Sequence, residues 1–174
     1  MRSPEVSAAL AFLASCCFAR PMPPCYARGC ARLPRYAGGV LTLPVSLQMS
    51  MIAHCLEGLP EEACGLLVGD YATGITERLV PVENVAHSAL VYTVDPKAHM
   101  LADRAAAAEG LDIIGVFHSH THTEAYPSPT DVAQAPDPGW HYVLVSLRDI
   151  YPVISSYRIV DGIIAEEPIL GESS

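Results

Sequence analysis

Basic residues are scarce in this sequence: 174 residues hold 10 Lys and Arg against 19 Asp and Glu, a formal net charge of −9. So acidic a chain lacks the broad cationic face that a phosphate backbone requires, which argues against a nucleic-acid partner. Also lacking is any apolar run of the ~18 residues that a membrane-spanning helix needs, so no membrane partner is expected. The six cysteines show no spacing that reads as a disulfide framework. No segment repeats. What is abundant is apolar material, 51% of the residues with only 17% charged. That balance excludes a disordered chain and leaves one ordinary domain with an ample core.

The charge is unevenly spread. Residues 1–36 carry five Arg (Arg2, Arg20, Arg28, Arg32, Arg35) against Glu5, a net of +4, and the other 138 carry five bases against 18 acids, a net of −13. Cys16, Cys17, Cys25 and Cys30 fall in the first segment, where Pro, Gly and Arg are scattered without helical or strand period. Residues 1–39 are expected to be a disordered leader or an upstream stretch translated from a mis-assigned start, with Val40 opening the domain that runs over 40–174. Two other readings compete. An export signal would place a lipidated cysteine at Cys16, although the apolar stretch is short and Glu5 sits where positive charge belongs. Metal binding by Cys25 and Cys30 lacks a second pair. Cys55 and Cys64 read as reduced, buried residues, and the expected location is cytoplasmic.

From Leu41 the pattern is orderly. Residues 44–58 set Val45, Met49, Ile52 and Leu56 at spacings of three and four, an amphipathic helix stopped by Gly58 and Pro60. GLLVG at 65–69 reads as a buried strand, with ITERLVPVEN and SALVYTV as two more. Lys97 to Glu109 is Ala-rich, follows Asp95 as N-cap with Pro96 at the first helical position, and reads as a second helix. DIIGVFHSH, HYVLVSL and VISSYRIVDGIIAEEPI supply the remaining strands. Strands alternating with at least two helices give an α/β or α+β domain.

The chemistry is concentrated in GVFHSHTHTEAYPSPTD. His118 and His120 stand two apart at the end of an apolar strand, so they share a face, whereas in a helix they would diverge. Two readings are open, a metal seat or a pair of solvated loop histidines. Asp131 favours the first. It follows Ser128 and Thr130, either of which can cap a helix and so return the carboxylate toward the histidines. Two imidazoles and a carboxylate leave a fourth tetrahedral position open, the layout of a catalytic zinc site. His122 has the same parity and competes as a ligand only if the strand runs on past His120. Trp140 reads as a packing anchor at the start of a strand and Cys64 as a small core residue.

Here the sequence resembles a known family, the JAMM or MPN-plus zinc isopeptidases of the JAB domain. Their signature, an upstream Glu followed by H-S-H-x7-S-x2-D, reads here as His118-Ser119-His120, seven residues, Ser128, two residues, Asp131. Upstream, Pro60-Glu61-Glu62-Ala63-Cys64-Gly65-Leu66-Leu67-Val68-Gly69 matches E-x-C-G-x-L-x-G, with Glu62 rather than Glu61 at the required spacing.

The resemblance covers roughly residues 41–170. It implies a single JAB/MPN domain, a mixed central sheet flanked by helices in the cytidine-deaminase-like manner. It also implies one zinc ion on His118, His120 and Asp131, with Glu62 and Ser128 as catalytic residues. Some bacterial single-domain members cleave after the Gly-Gly end of ubiquitin-like sulfur-carrier proteins and release cysteine. The expected partner is therefore such a carrier, and the alternative is a non-catalytic MPN-type module that only binds the tail.

Overall fold

Eleven elements follow one another in the computed structural model, which describes residues 39–171. The leader expected over residues 1–39 lies, apart from Gly39, outside the described residues. Strand β1 (Leu41–Thr42) leads into helix α1 (Val45–Glu57) and then into β2 (Cys64–Asp70) and β3 (Ile75–Val82). Helix α2 (Pro96–Ala108), β4 (Asp112–His120), the short helix α3 (Pro129–Gln134) and β5 (His141–Ser146) come next. The chain closes with β6 (Val153–Val160), β7 (Ile163–Glu167) and β8 (Ile169–Leu170).

All eight strands form one sheet in the order β7-β6-β5-β4-β2-β3-β1-β8. It is mixed: β4 and β5 are parallel neighbours, as are β1 and β3 and β1 and β8, and the other pairs are antiparallel. The expected α/β architecture, a mixed central sheet between helices, is what forms. Strand alternation divides the core. Leu66, Val116, Tyr142 and Leu144 pack on one face with Ala102 and Ala106 of α2. Leu67, Phe117, Val143 and Val145 pack on the other with Met51 and Cys55 of α1. Gly65 is fixed by this arrangement, because a Cβ there would stand 2.3 Å from Phe117 Cε1 and 2.8 Å from the Val80 carbonyl oxygen.

The helices begin where their caps predict. Asp95 accepts hydrogen bonds from the backbone N–H groups of Lys97 and Ala98, with Pro96 in the first turn. In α1, however, only Ile52 of the Val45-Met49-Ile52-Leu56 stripe packs against the core. Val45, Met49 and Leu56 are exposed, and Met51 and Cys55 are the buried pair. The helix carries two apolar stripes. The second one, with Met51 and Cys55, packs against Leu67 and Phe117 of the sheet, and Gln48 Nε2 anchors the first turn by donating to the Leu43 carbonyl at 2.8 Å.

SALVYTV is not a strand either. Within 88–94 only Val94 makes a ladder contact, an isolated bridge to Asn84. The segment is instead wrapped around the Asn84 amide. Its Nδ2 donates to the carbonyls of Glu62 and Val91, and its Oδ1 accepts from the N–H groups of Ala86 and Thr93. These side-chain bonds replace the sheet ladder. Asp161-Gly162, both at positive φ, make the hairpin between β6 and β7.

A second polar cluster staples β5 to β6 and β7, away from the histidine motif. His141 Nδ1 and Ser156 Oγ each lie 2.7 Å from Glu167 Oε1, and Arg158 Nε donates to Glu167 Oε2 at 3.0 Å. Arg158 Nη2 stands 2.9 Å from His141 Nε2, and a further guanidinium N–H meets the Gly139 carbonyl. His141, Ser156 and Glu167 are buried. Deleting one partner of such a network leaves the others desolvated and unpaired. Glu167→Ala is expected to lower the unfolding free energy by about 3–5 kcal/mol, measured by urea unfolding. A loss under about 1 kcal/mol would mean that water replaces the carboxylate without cost.

Candidate active site

β4 carries its apolar alternation to the end and then changes chemistry. His118 and His120 continue the face that Val116 occupies, and both imidazoles are buried. Antiparallel pairing sets Cys64 of β2 opposite His118. The pairing extends one step past the start of β2, where Ser119 N–H donates to the Ala63 carbonyl and Ala63 N–H to Ser119 Oγ, both at 2.9 Å. Glu62 is thereby drawn alongside the histidines. Its N–H donates to the Ser88 carbonyl at 2.8 Å and its carbonyl accepts from Asn84 Nδ2 at 2.8 Å. The residue is 5% exposed.

Asp131 arrives from the other side through a capping box. Ser128 is the N-cap of α3; its Oγ accepts from Asp131 N–H at 3.2 Å, and Asp131 Oδ2 accepts from Ser128 N–H at 2.7 Å. The cap aims the carboxylate at both imidazoles, with His118 Nε2 3.4 Å from Oδ1 and His120 Nε2 3.4 Å from Oδ2. The two Nε2 atoms are 3.2 Å apart. One atom from each of His118, His120 and Asp131 falls within 4.8 Å of the others, close enough to hold a single ion.

The outer nitrogens of the rings differ. His120 Nδ1 is 2.7 Å from the Glu124 carbonyl, so Nδ1 carries the hydrogen and Nε2 presents its lone pair inward. His118 Nδ1 is buried and has no hydrogen-bond partner among the described residues. The Tyr92 ring stacks on His118, with centroids 4.1 Å apart and planes inclined by 20°.

Burial pushes the Glu62 carboxyl up to about 7, opposed by the charge of His120 and reinforced by Asp131. Burial acts on Asp131 in the same sense, but hydrogen bonds from His118 and His120 outweigh it and hold the carboxyl well below the usual range. Desolvation lowers His118. It opposes protonation of His120 as well, yet Asp131 and the Glu124 carbonyl raise that group. Among the described residues, no Lys or Arg forms an ion pair or hydrogen bond with Glu62 or Asp131. Two imidazole nitrogens and a carboxylate oxygen are donors that suit zinc, so the residues present fit that ion.

The other expectations sort clearly. Strand β4 ends at His120, and His122 is exposed with Nδ1 2.6 Å from Thr121 Oγ1, outside the ligand group. Glu61 turns away to His87 at 3.3 Å. Cys64 is buried and desolvation pushes its thiol up to about 12, which suits a core residue and not a nucleophile. Trp140 immediately precedes β5 and packs against the core, its ring edge-on to His99. Sequence reasoning missed Tyr92 and Asn84. Tyr92 was hidden in a stretch that alternates like a strand, and nothing in the spacing marks it. Asn84, in the polar break after ITERLVPV, carried the one usable signal, a residue type that organises turns.

Burying Glu62 has a stability consequence. The folded protein keeps on Glu62 a proton that the unfolded chain, at the ordinary value of 4.5, releases. Stability of the metal-free protein therefore falls as pH rises from about 4.5 to about 7 and stays reduced above that. Glu62→Gln removes the penalty. At pH 8 the metal-free variant should be more stable than wild type by about 1–2 kcal/mol, after allowance for solvent screening. Near pH 4 the difference should vanish in the same thermal unfolding assay.

Comparison with known proteins places this arrangement. The family model described as prokaryotic homologs of the JAB domain matches residues 44–160. A CysO-cysteine peptidase of Mycobacterium tuberculosis is 42% identical over 131 residues, covering 75% of this chain and 90% of that protein. A desampylase of Haloferax volcanii is 34% identical over 111 residues, 61% of this chain and 80% of its own length. A protein from Desulfitobacterium hafniense solved in solution superposes with a TM-score of 0.70 at 33% identity, covering 78% of this chain and 93% of that one. With the matched region holding β2 to β6, all three helices and every motif residue just described, this chain belongs to the prokaryotic JAB-domain family.

Proposed function

We propose that the protein is a zinc-dependent peptidase that cleaves after the Gly-Gly C-terminus of a ubiquitin-like sulfur-carrier protein and releases cysteine. The observation that carries this reading is the convergence of the buried Glu62 carboxylate on the His118-His120-Asp131 donor set. An open cleft of about 460 Å3 adjoins it, lined by His120, Tyr126, Ser128 and Arg148 among others. The names of the relatives, a CysO-cysteine peptidase and a desampylase, support the substrate class.

His118, His120 and Asp131 would hold one zinc ion per chain. A zinc ion in such a site acts as a Lewis acid and lowers the pKa of water toward ~7. Glu62 takes the proton of the attacking water and hands it to the departing amine. A carboxyl raised toward neutrality is suited to both transfers. Ser128 Oγ accepts the hydrogen bond of the α3 cap, which leaves its own O–H free to donate to the oxyanion that develops on the scissile carbonyl. The capping and catalytic roles are compatible in one side chain.

The tail does not reach the site by adding a strand to a free sheet edge. The edges are β7 and β8, and the motif-bearing β2 and β4 are interior strands paired on both sides. The peptide must then approach over the strand ends and between loops, where small residues pass most easily.

Zinc-loaded protein incubated with a carrier–cysteine conjugate should yield free carrier and cysteine by intact mass spectrometry. Glu62→Ala should abolish turnover but keep zinc, and His118→Ala should lose zinc with the fold intact. Tail binding by metal-free protein, with no turnover under any condition, would favour the binding module instead. Replacing the last Gly of the tail by Val should reduce kcat/KM by about 100-fold or more, because a β-branched side chain is wide and stiff. Equal rates would refute a narrow approach and leave the hydrolysis intact.

A further inference from the structure

Metal-binding imidazoles are ordinarily oriented by a hydrogen bond from the nitrogen that does not face the metal. His120 has such a bond, Nδ1 to the Glu124 carbonyl at 2.7 Å. His118 has none: its buried Nδ1 finds no hydrogen-bond partner among the described residues. Nothing polar therefore sets the rotation of the His118 ring from behind. What lies against it is the phenol ring of Tyr92, nearly parallel at 4.1 Å between centroids, while the His120 ring meets it edge-on at 5.0 Å and 62°. A flat stack resists rotation out of the shared plane, because turning the imidazole drives its edge into the neighbouring face.

We propose that Tyr92 is a positioning residue for His118, its stacked ring replacing the missing hydrogen bond and holding Nε2 toward Asp131 and His120. The inference rests on the reading of His118, His120 and Asp131 as a metal site. The stack also has an electronic consequence. Bound to a cation, the His118 ring becomes electron-poor, and the electron-rich face of the phenol stabilises it more than it stabilises the free imidazole. Tyr92 is itself held by position, being half-buried against the core beneath α2, where its ring also forms a wall of a cavity of about 290 Å3 shared with Trp140 and His99. Among the described residues the phenol hydroxyl makes no hydrogen bond, so the ring and not the O–H is the working part.

The experiment compares Tyr92→Leu and Tyr92→Phe with wild type by chelator competition for zinc and by the visible spectrum of the cobalt(II)-loaded protein. The thermal unfolding of each metal-free form serves as reference. Tyr92→Phe should bind zinc within about twofold of wild type. Tyr92→Leu should bind about 10- to 100-fold more weakly and show an altered cobalt spectrum, beyond any change in its metal-free stability. Should Tyr92→Leu not fold, Tyr92→Met fills similar volume without a flat ring and is judged by the same criteria. Wild type provides an independent measurement, since the His118 ring protons of the metal-free protein should be shifted upfield by the Tyr92 ring current. Unchanged zinc affinity in the Leu or Met variant, an equal loss in Tyr92→Phe, or unshifted His118 protons would each overturn the inference. Failure of wild type to bind zinc at all would instead overturn the metal reading on which it rests.

Discussion

Everything at the site depends on the register between β2 and β4. Because Cys64 lies opposite His118, the residue two positions before Cys64 comes level with His120. A slip of one residue would turn every side chain of the strand to the opposite face and carry the imidazoles into the core under α1. Three features secure the register. Gly65 admits the Phe117 ring where any Cβ would collide, Ser119 and Ala63 exchange two hydrogen bonds beyond the strand end, and the apolar residues of both faces are fully buried. The short E-x-C-G spacing is thus a packing requirement as much as a chemical one.

The two buried polar clusters of this domain solve opposite problems. Around Glu167 the chain supplies its own cation, Arg158, and every partner lies within hydrogen-bond reach. Such a cluster stiffens the β5–β6–β7 half and asks for nothing from outside. Around Asp131 two carboxylates and two imidazoles come together, and among the described residues no Lys or Arg is bonded to either acid. Charge balance there comes only from protons shared among the four groups or from a bound cation. Burial raises Glu62 while the imidazole hydrogen bonds lower Asp131, so the two acids are set to hold protons differently.

Much of this was legible before any coordinates. The motif spacing named His118, His120, Ser128, Asp131 and Glu62, because residue type and spacing must agree at five positions. Asp95-Pro96 located α2 because caps act locally. Where several tertiary contacts decide the outcome, the pattern misled. In α1 the more regular apolar stripe is exposed apart from Ile52, since the sheet selects whichever face complements Leu67 and Phe117. In SALVYTV strand-like alternation lost to one buried amide, Asn84, whose bonds to Glu62, Ala86, Val91 and Thr93 outcompete any ladder. The stacking of Tyr92 joins two segments some 26 positions apart, which no spacing rule encodes.

The pairing of β1 with β8 has a consequence for how the domain can be tethered. The strands are parallel neighbours, with Leu41 opposite Ile169 and Thr42 opposite Leu170, so the chain enters and leaves the fold side by side. Thr42 is also level with Ile75 at the start of β3, whereas the motif lies level with Val82 at its end. At ~3.3 Å per residue that separates the two levels by roughly 20 Å. A domain arranged in this way can be spliced into a host loop or circularly permuted with little strain. A scaffold gripping both ends would leave the cleft facing outward.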